Sequence, residues 1–196
     1  KFGLNAGTSG NLSVRTDDGF LITPSGLKPV DITRKRVVEM SSSIAEAEQS
    51  FKPSSEWRFH RDLYSARLDT NAVVHVHSTN ATALACQRRS IPPFHYMVAV
   101  AGGTTIRCAP YATFGTQALS DGILKALEDR KACLMANHGM VTLGASIETA
   151  IDLAVEVEEL ARQYVHACIG GEPKLLSESE MTEMVEKFKG YRARGG

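Results

Sequence analysis

Apolar and polar positions alternate at short range near the start of the chain and at helical range further on. Leu12 to Arg15 and Gly19 to Thr23 flank Asp17-Asp18-Gly19, the pattern of a hairpin. Before them, Gly3 to Ser13 is rich in Gly, Asn, Ser and Thr and reads as a loop. Pro24-Ser25-Gly26 is a turn, Asp31 is placed to cap a short helix, and Met40 to Phe51 fits strand or loop equally. Pro53-Ser54-Ser55-Glu56 looks like a helix start with Ser as cap, and Phe59, Leu63 and Ala66 keep helical spacing to about Arg67.

Ala72 to His77 is a short apolar strand, Asn80 to Arg88 a helix, and Thr105 to Ala109 a strand stopped by Pro110. Thr116 to Asp129 predicts a helix; Ala132 to Ala136 and Met140 to Leu143 predict strands around Asn137-His138-Gly139. From Ile147 to Ile169, Ala150, Leu153, Ala154, Val157, Leu160 and Ala161 recur at three and four, one face of a long helix. Glu180 to Lys189 predicts a last, short one. Strands and helices mix without a strict βαβ rhythm. The expected fold class is α/β: a single domain over residues 1–196, with a central, mostly antiparallel sheet flanked by helices.

Composition narrows the function. The 196 residues carry 22 basic and 22 acidic side chains, so the formal charge is zero, without the basic excess of a phosphate-neutralising nucleic-acid binder. No apolar run approaches the roughly 20 residues of a membrane span. Cys86, Cys108, Cys133 and Cys168 are scattered and read as buried, reduced packing residues, which makes a cytoplasmic location the default expectation. The chain begins at Lys1 without an initiator Met, so further N-terminal sequence is expected.

The strongest chemical signal is Val74-His75-Val76-His77. In a strand, residues i and i+2 share a face and stand about 6.6 Å apart, close enough for two imidazoles to converge on one ion. By itself the pair reads equally well as two hydrogen-bonded histidines. His138, in the small turn between two apolar strands, adds a third ligand and favours a metal. Three histidines leave a coordination position open, as a catalytic zinc site does; imidazole also takes cobalt, nickel, manganese or iron. His60, His95 and His166 are read as structural.

Ser54-Ser55-Glu56 at a helix start, Gly7-Thr8-Ser9-Gly10-Asn11 and Ser25-Gly26 are three small, donor-rich loops. Each alone is a plain turn or cap; together they suit a phosphate. The chain has neither a Walker A sequence nor a GxGxxG, which points to a phosphorylated small molecule rather than a nucleotide. Glu56 suits a metal ligand, a general base or merely a partner for the helix dipole.

Gly7-Thr8-Ser9-Gly10-Asn11, Pro53-Ser54-Ser55-Glu56-Trp57, His75-x-His77, Tyr111-Ala112-Thr113-Phe114-Gly115 and Asn137-His138-Gly139 resemble, in this order, the class II aldolase/adducin family over nearly the whole chain. The resemblance implies a metal-dependent aldolase cleaving a ketose 1-phosphate, such as L-fuculose 1-phosphate, to dihydroxyacetone phosphate and a short aldehyde. It implies one Zn2+ per subunit on His75, His77 and His138, with Glu56 as resting fourth ligand and acid/base. Gly10, Asn11, Ser25, Gly26, Ser54 and Ser55 would hold the phosphate; Phe114 and Tyr191 would line the aldehyde end. Tyr96 would donate a proton to the aldehyde oxygen in a neighbour's site, within a cyclic homotetramer. Family members begin with a helix ahead of the first loop, expected here to be lost to truncation or disorder. Rival readings on the same scaffold are a sugar-phosphate epimerase, dehydratase or decarboxylase, or a non-enzymatic adducin-type module.

Overall fold

The hairpin around Asp17-Asp18-Gly19 forms the first two strands, β1 (Asn11–Arg15) and β2 (Gly19–Ile22). The computed structural model describes residues 3–41 and 50–192, without the side chains of the last two. Five more strands complete one sheet: β3 (Val38–Ser41), β4 (Ala72–Val76), β5 (Arg107–Ala109), β6 (Ala132–Met135) and β7 (Gly139–Gly144). Their order is β3-β2-β1-β4-β7-β6-β5, antiparallel throughout except for the parallel β5–β6 pair. The expected α/β domain with a mostly antiparallel sheet is therefore what the chain forms.

The helices are α1 (Trp57–Ala66), α2 (Thr79–Cys86), α3 (Gln117–Ala126), α4 (Ile147–Ile169) and α5 (Glu178–Arg192). The strand alternation sorts the core into two. Ala72, Val74 and Val76 of β4 face α2 and α4 with Leu134 and Met140; Val73 faces α1 and α3 with Met135, Val141 and Leu143. Residues β4, β6 and β7 are buried on both faces, which is why their sequences read as continuous apolar runs. His75, of the same parity as Val73, lies on the α1 face, its ring edge on Phe59 of α1 at 5.8 Å.

Helix ends show where local signals decide. The Ser146 hydroxyl accepts the Thr149 N–H and the Thr149 hydroxyl accepts the Ser146 N–H, a capping box that starts α4 where its period begins. Ser177 and Glu180 form the same exchange, so α5 starts two residues before the read boundary and runs longer. Three expectations need correction. No serine caps α1: its cap is Glu56, and the Ser54 hydroxyl accepts the Glu56 N–H at 3.3 Å instead. Asp31 caps nothing; it ends a single 3-10 turn, Pro29–Asp31, opened by the fixed φ of Pro29. Of the cysteines, all free, only Cys133 is buried: α2 turns Ala81, Leu84 and Ala85 inward and so leaves Cys86 exposed. In the ambiguous stretch, β3 ends at Ser41 and residues 42–49 lie outside the described part.

Candidate metal centre and active site

The register of β4 brings the histidines together. His75 pairs with Val141 and Val76 with Met140, so the Asn137-His138 turn between β6 and β7 stands beside the end of β4. Asn137 takes a left-handed conformation, φ 57°, tightening that turn. Gly139 has no room for a side chain: a Cβ would stand 2.5 Å from the Val76 carbonyl oxygen and 2.9 Å from the His77 ring. His75, His77 and His138 thus present ligand atoms all within 4.8 Å of one another, and this group could hold a metal ion.

The distances fit one. His75 and His77 Nε2 are 3.0 Å apart; Glu56 Oε2 lies 3.2 Å from His75 Nε2, and Glu56 Oε1 lies 3.4 Å from His138 Nε2. Bonds of 2.0–2.1 Å around a tetrahedral ion put neighbouring ligands about 3.3–3.4 Å apart. His75 Nδ1 donates to the Met140 carbonyl at 2.9 Å, which turns Nε2 toward the cluster as the atom able to ligate. Glu56 is 7% exposed, and its Oε1 has no hydrogen-bond partner. A buried carboxylate oxygen left without a donor is costly unless a cation faces it.

The surroundings keep Glu56, His77 and His138 unprotonated at neutral pH. Burial pushes Glu56 up, but the hydrogen bond and charge of His75, the charge of His138 and the Asn11 hydrogen bond outweigh it and bring the carboxyl down to about 2. Burial, then the neighbouring His75 and His138 charges, pushes His77 down to about 4. Burial, then His75, also lowers His138.

Glu56 and two of the histidines open onto a cavity of about 400 Å³. Its lining includes Gly10, Asn11, Ser25, Gly26, Ser54, Ser55, Glu56, His77, Phe114 and His138, so nearly all the sequence candidates meet in one place. Two donor-rich loops are tied together by a bridge between Pro24 and Pro53, with Ser25 N–H on the Lys52 carbonyl and Ser54 N–H on the Thr23 carbonyl. Gly10, at φ +81°, runs so close to the His75 carbonyl that a Cβ would stand 2.7 Å from it. On the other side Phe114, 64% exposed, stands with Tyr111 and Ala112. Arg58 of α1 holds that loop through the Gly115 carbonyl at 2.8 Å.

Three candidates stand elsewhere. His75 is fully buried and reaches the cavity only through the cluster. Tyr96, 49% exposed, opens a 3-10 turn (Tyr96–Ala101) and is not among the cavity's lining residues. The Tyr191 side chain lies outside the described residues, at the end of α5. Of the remaining histidines, His166 is exposed, and His95 Nδ1 accepts the Met97 N–H. His60, read as structural, is fully buried behind Glu56. Asn11 also does more than line the cavity: its Nδ2 donates to Glu56 Oε2 at 3.0 Å and its Oδ1 meets His60 Nε2 at 2.6 Å. The sequence does carry a signal for this pair, polar residues at period two in β1 against period four in α1.

Residues 1–165 match the family profile described as the Class II Aldolase and Adducin N-terminal domain. The chain is 54% identical over 189 residues to the 5-methylthioribulose-1-phosphate/5-deoxyribulose-1-phosphate aldolase of Rhodospirillum rubrum, covering 96% of this chain and 85% of that protein. It is 46% identical over 195 residues to the L-fuculose phosphate aldolase of Escherichia coli K12, covering 99% and 90%. A solved structure of an L-fuculose 1-phosphate aldolase superposes with a TM-score of 0.90 at 42% identity, covering 95% of this chain and 88% of that one. The profile, the relatives and the shared fold agree with the histidine cluster: the chain belongs to the class II aldolase and adducin family, among its aldolases, which are carbon–carbon lyases.

Proposed function

We propose that this aldolase cleaves a ketose 1-phosphate with a short apolar tail to dihydroxyacetone phosphate and the matching aldehyde. The observation that carries the reading is a three-histidine cluster with a buried, unpartnered carboxylate oxygen, facing donor-rich loops across one cavity. His75, His77 and His138 would hold the metal, zinc by ligand type, with Glu56 as fourth ligand at rest. When bound, the metal supplies Lewis-acid polarisation of the substrate carbonyl.

The remaining work falls to the chain. Gly10, Ser25, Gly26, Ser54 and Ser55, with Asn11 beside them, orient the phosphate. Tyr96 of a neighbouring copy relays the C4 hydroxyl proton to solvent as the C3–C4 bond breaks. Glu56, a carboxylate at rest, takes up a proton from solvent and delivers it to C3. Phe114 lines the aldehyde end, where Tyr191, whose side chain lies outside the described residues, would join it. This requires a multi-copy assembly, a homotetramer in our reading. We read residues 1–196 as one class II aldolase/adducin-like domain.

The apolar wall of Tyr111, Ala112 and Phe114 suits a methyl or methylthio terminus. L-Fuculose, 5-deoxyribulose and 5-methylthioribulose 1-phosphates all end that way. A retro-aldol assay over these three sugars and unphosphorylated L-fuculose, with and without chelator, tests the reading. Cleavage of at least one phosphate ester, abolished by chelator and restored by zinc, is expected. Chelator-insensitive cleavage, or equal turnover of the unphosphorylated sugar, would overturn it.

A further inference from the structure

Behind Glu56, α1 and β1 mesh like a polar zipper. Glu56 at the cap of α1, and His60 and Tyr64 within it, stand four apart; Asn11, Ser13 and Arg15 stand two apart in β1. Four helical residues rise about 6 Å and two strand residues about 6.7 Å, so the two rows keep step. Asn11 bridges Glu56 and His60, at 3.0 and 2.6 Å. Ser13 bridges His60 and Tyr64, its hydroxyl 2.6 Å from His60 Nδ1 and 2.7 Å from the Tyr64 hydroxyl. Arg15 closes the row, its guanidinium donating to the Tyr64 carbonyl at 2.8 Å and lying over the ring. Asn11, Ser13 and His60 are each at most 6% exposed.

Chemistry gives every bond in this row a direction. A carboxylate only accepts, so Asn11 must turn its amide N–H to Glu56 and its carbonyl to His60. A carbonyl also only accepts, so His60 must carry its proton on Nε2. The neutral ring then accepts at Nδ1 from Ser13, and Ser13 accepts from Tyr64. Burial pushes His60 down to about 3, so the ring is neutral at ordinary pH. A row with one possible proton order holds its end group in one place.

We propose that His60 is a positioning residue of the reaction: its Nε2–H fixes the Asn11 amide, which holds the Glu56 carboxylate at the metal cluster. The inference rests on the reading of Glu56 as proton carrier. It assigns a task to a histidine that touches neither the cavity nor the cluster. A ring that merely filled the core would be replaceable by any side chain of its size. A positioning ring is replaceable only by a side chain that still offers an N–H to Asn11.

The test compares His60→Leu with His60→Gln, whose amide can offer an N–H where Nε2 stands. Exchange of the hydroxymethyl protons of dihydroxyacetone phosphate in D2O, with saturating zinc, reads the proton carrier without an aldehyde. His60→Leu should lower kcat for exchange roughly 10–100-fold, the usual loss for a residue supporting a metal-site ligand. KM should rise by less than kcat falls, since Asn11 is one of six groups at the phosphate and the other five are untouched, and His60→Gln should recover most of kcat. In 15N-histidine wild type without metal, two-bond proton–nitrogen spectra should show a neutral His60 ring protonated on Nε2. Equal kcat for His60→Leu and an active wild type, or His60→Gln no better than a folded His60→Leu, overturns this inference alone. So does a ring protonated on Nδ1, a measurement that stands even where His60→Leu does not fold. A wild type that exchanges no deuterium sinks the proton-carrier reading and this inference with it.

Discussion

Glu56→Gln separates the two tasks that one carboxylate performs here. Gln keeps the length and can keep an oxygen on Asn11 Nδ2, the 3.0 Å bond that orients the group. Its amide nitrogen then faces His138, where Glu56 Oε1 stands 3.4 Å from Nε2 without a hydrogen bond. The fold therefore loses no hydrogen bond, while the site loses one negative charge and the group able to carry a proton. Three histidines remain, enough to hold zinc. A general acid–base group contributes about 10²–10⁴-fold, or roughly 2.7–5.4 kcal/mol of barrier. Expected, then, are about one zinc per chain and an unchanged melt, with both retro-aldol turnover and deuterium exchange into dihydroxyacetone phosphate down by that factor. Metal content by emission spectroscopy and exchange by proton NMR read the two tasks independently. Exchange at the wild-type rate with zinc retained would refute the reasoning, because Glu56 would then be a ligand only. Zinc lost together with activity would show that the carboxylate is indispensable for holding the ion.

Ser54→Ala with Ser55→Ala should raise KM for the phosphorylated substrate at least about tenfold, since a hydrogen bond to a charged group is worth about 1.5–3 kcal/mol. Steady-state kinetics showing KM unchanged would remove these serines from the phosphate loop; because Ser54 also accepts the Glu56 N–H, a smaller fall in kcat accompanies the change. The metal-free protein should lose stability steadily on acidification below about pH 6.5. His60, usually near 6.5, is held near 3 by burial, so the unfolded chain takes up a proton that the folded chain refuses. Between those values the buried ring alone costs up to about 1.4 kcal/mol per pH unit. His77, pushed to about 4, acts with the same sign, and Glu56, held near 2, adds to it below its usual 4.5. A melting temperature flat from pH 7 to pH 5 would contradict this.

What the sequence discloses follows from how local each determinant is. The ends of α4 are legible because Ser146 and Gly170 act on the backbone beside them. The metal ligands are legible because His75 and His77 share a face by strand parity alone, and His138 sits in a turn of three residues. The start of α1 is misread because a Ser-Ser-Glu sequence has two uses. Here the serine hydroxyl serves the Glu56 N–H and the cavity, not the first turn of the helix. Cys86 is misread because an apolar neighbourhood does not say which way a short helix turns.

His60 shows the limit more sharply. Its spacing from Glu56 and Tyr64 is plain in the sequence, as is the spacing of Asn11, Ser13 and Arg15. Neither row means anything alone, since polar residues at period four usually mark a solvated helix face. Only the packing of α1 against β1, across 45 to 52 residues of sequence, converts two rows into one chain of hydrogen bonds. A ligand is recognised by its type and its short spacing; a positioning residue is recognised by what its partner is forced to do. In this protein that compulsion begins at a carboxylate that can only accept, and it runs inward through Asn11 to a histidine whose proton has one place to be.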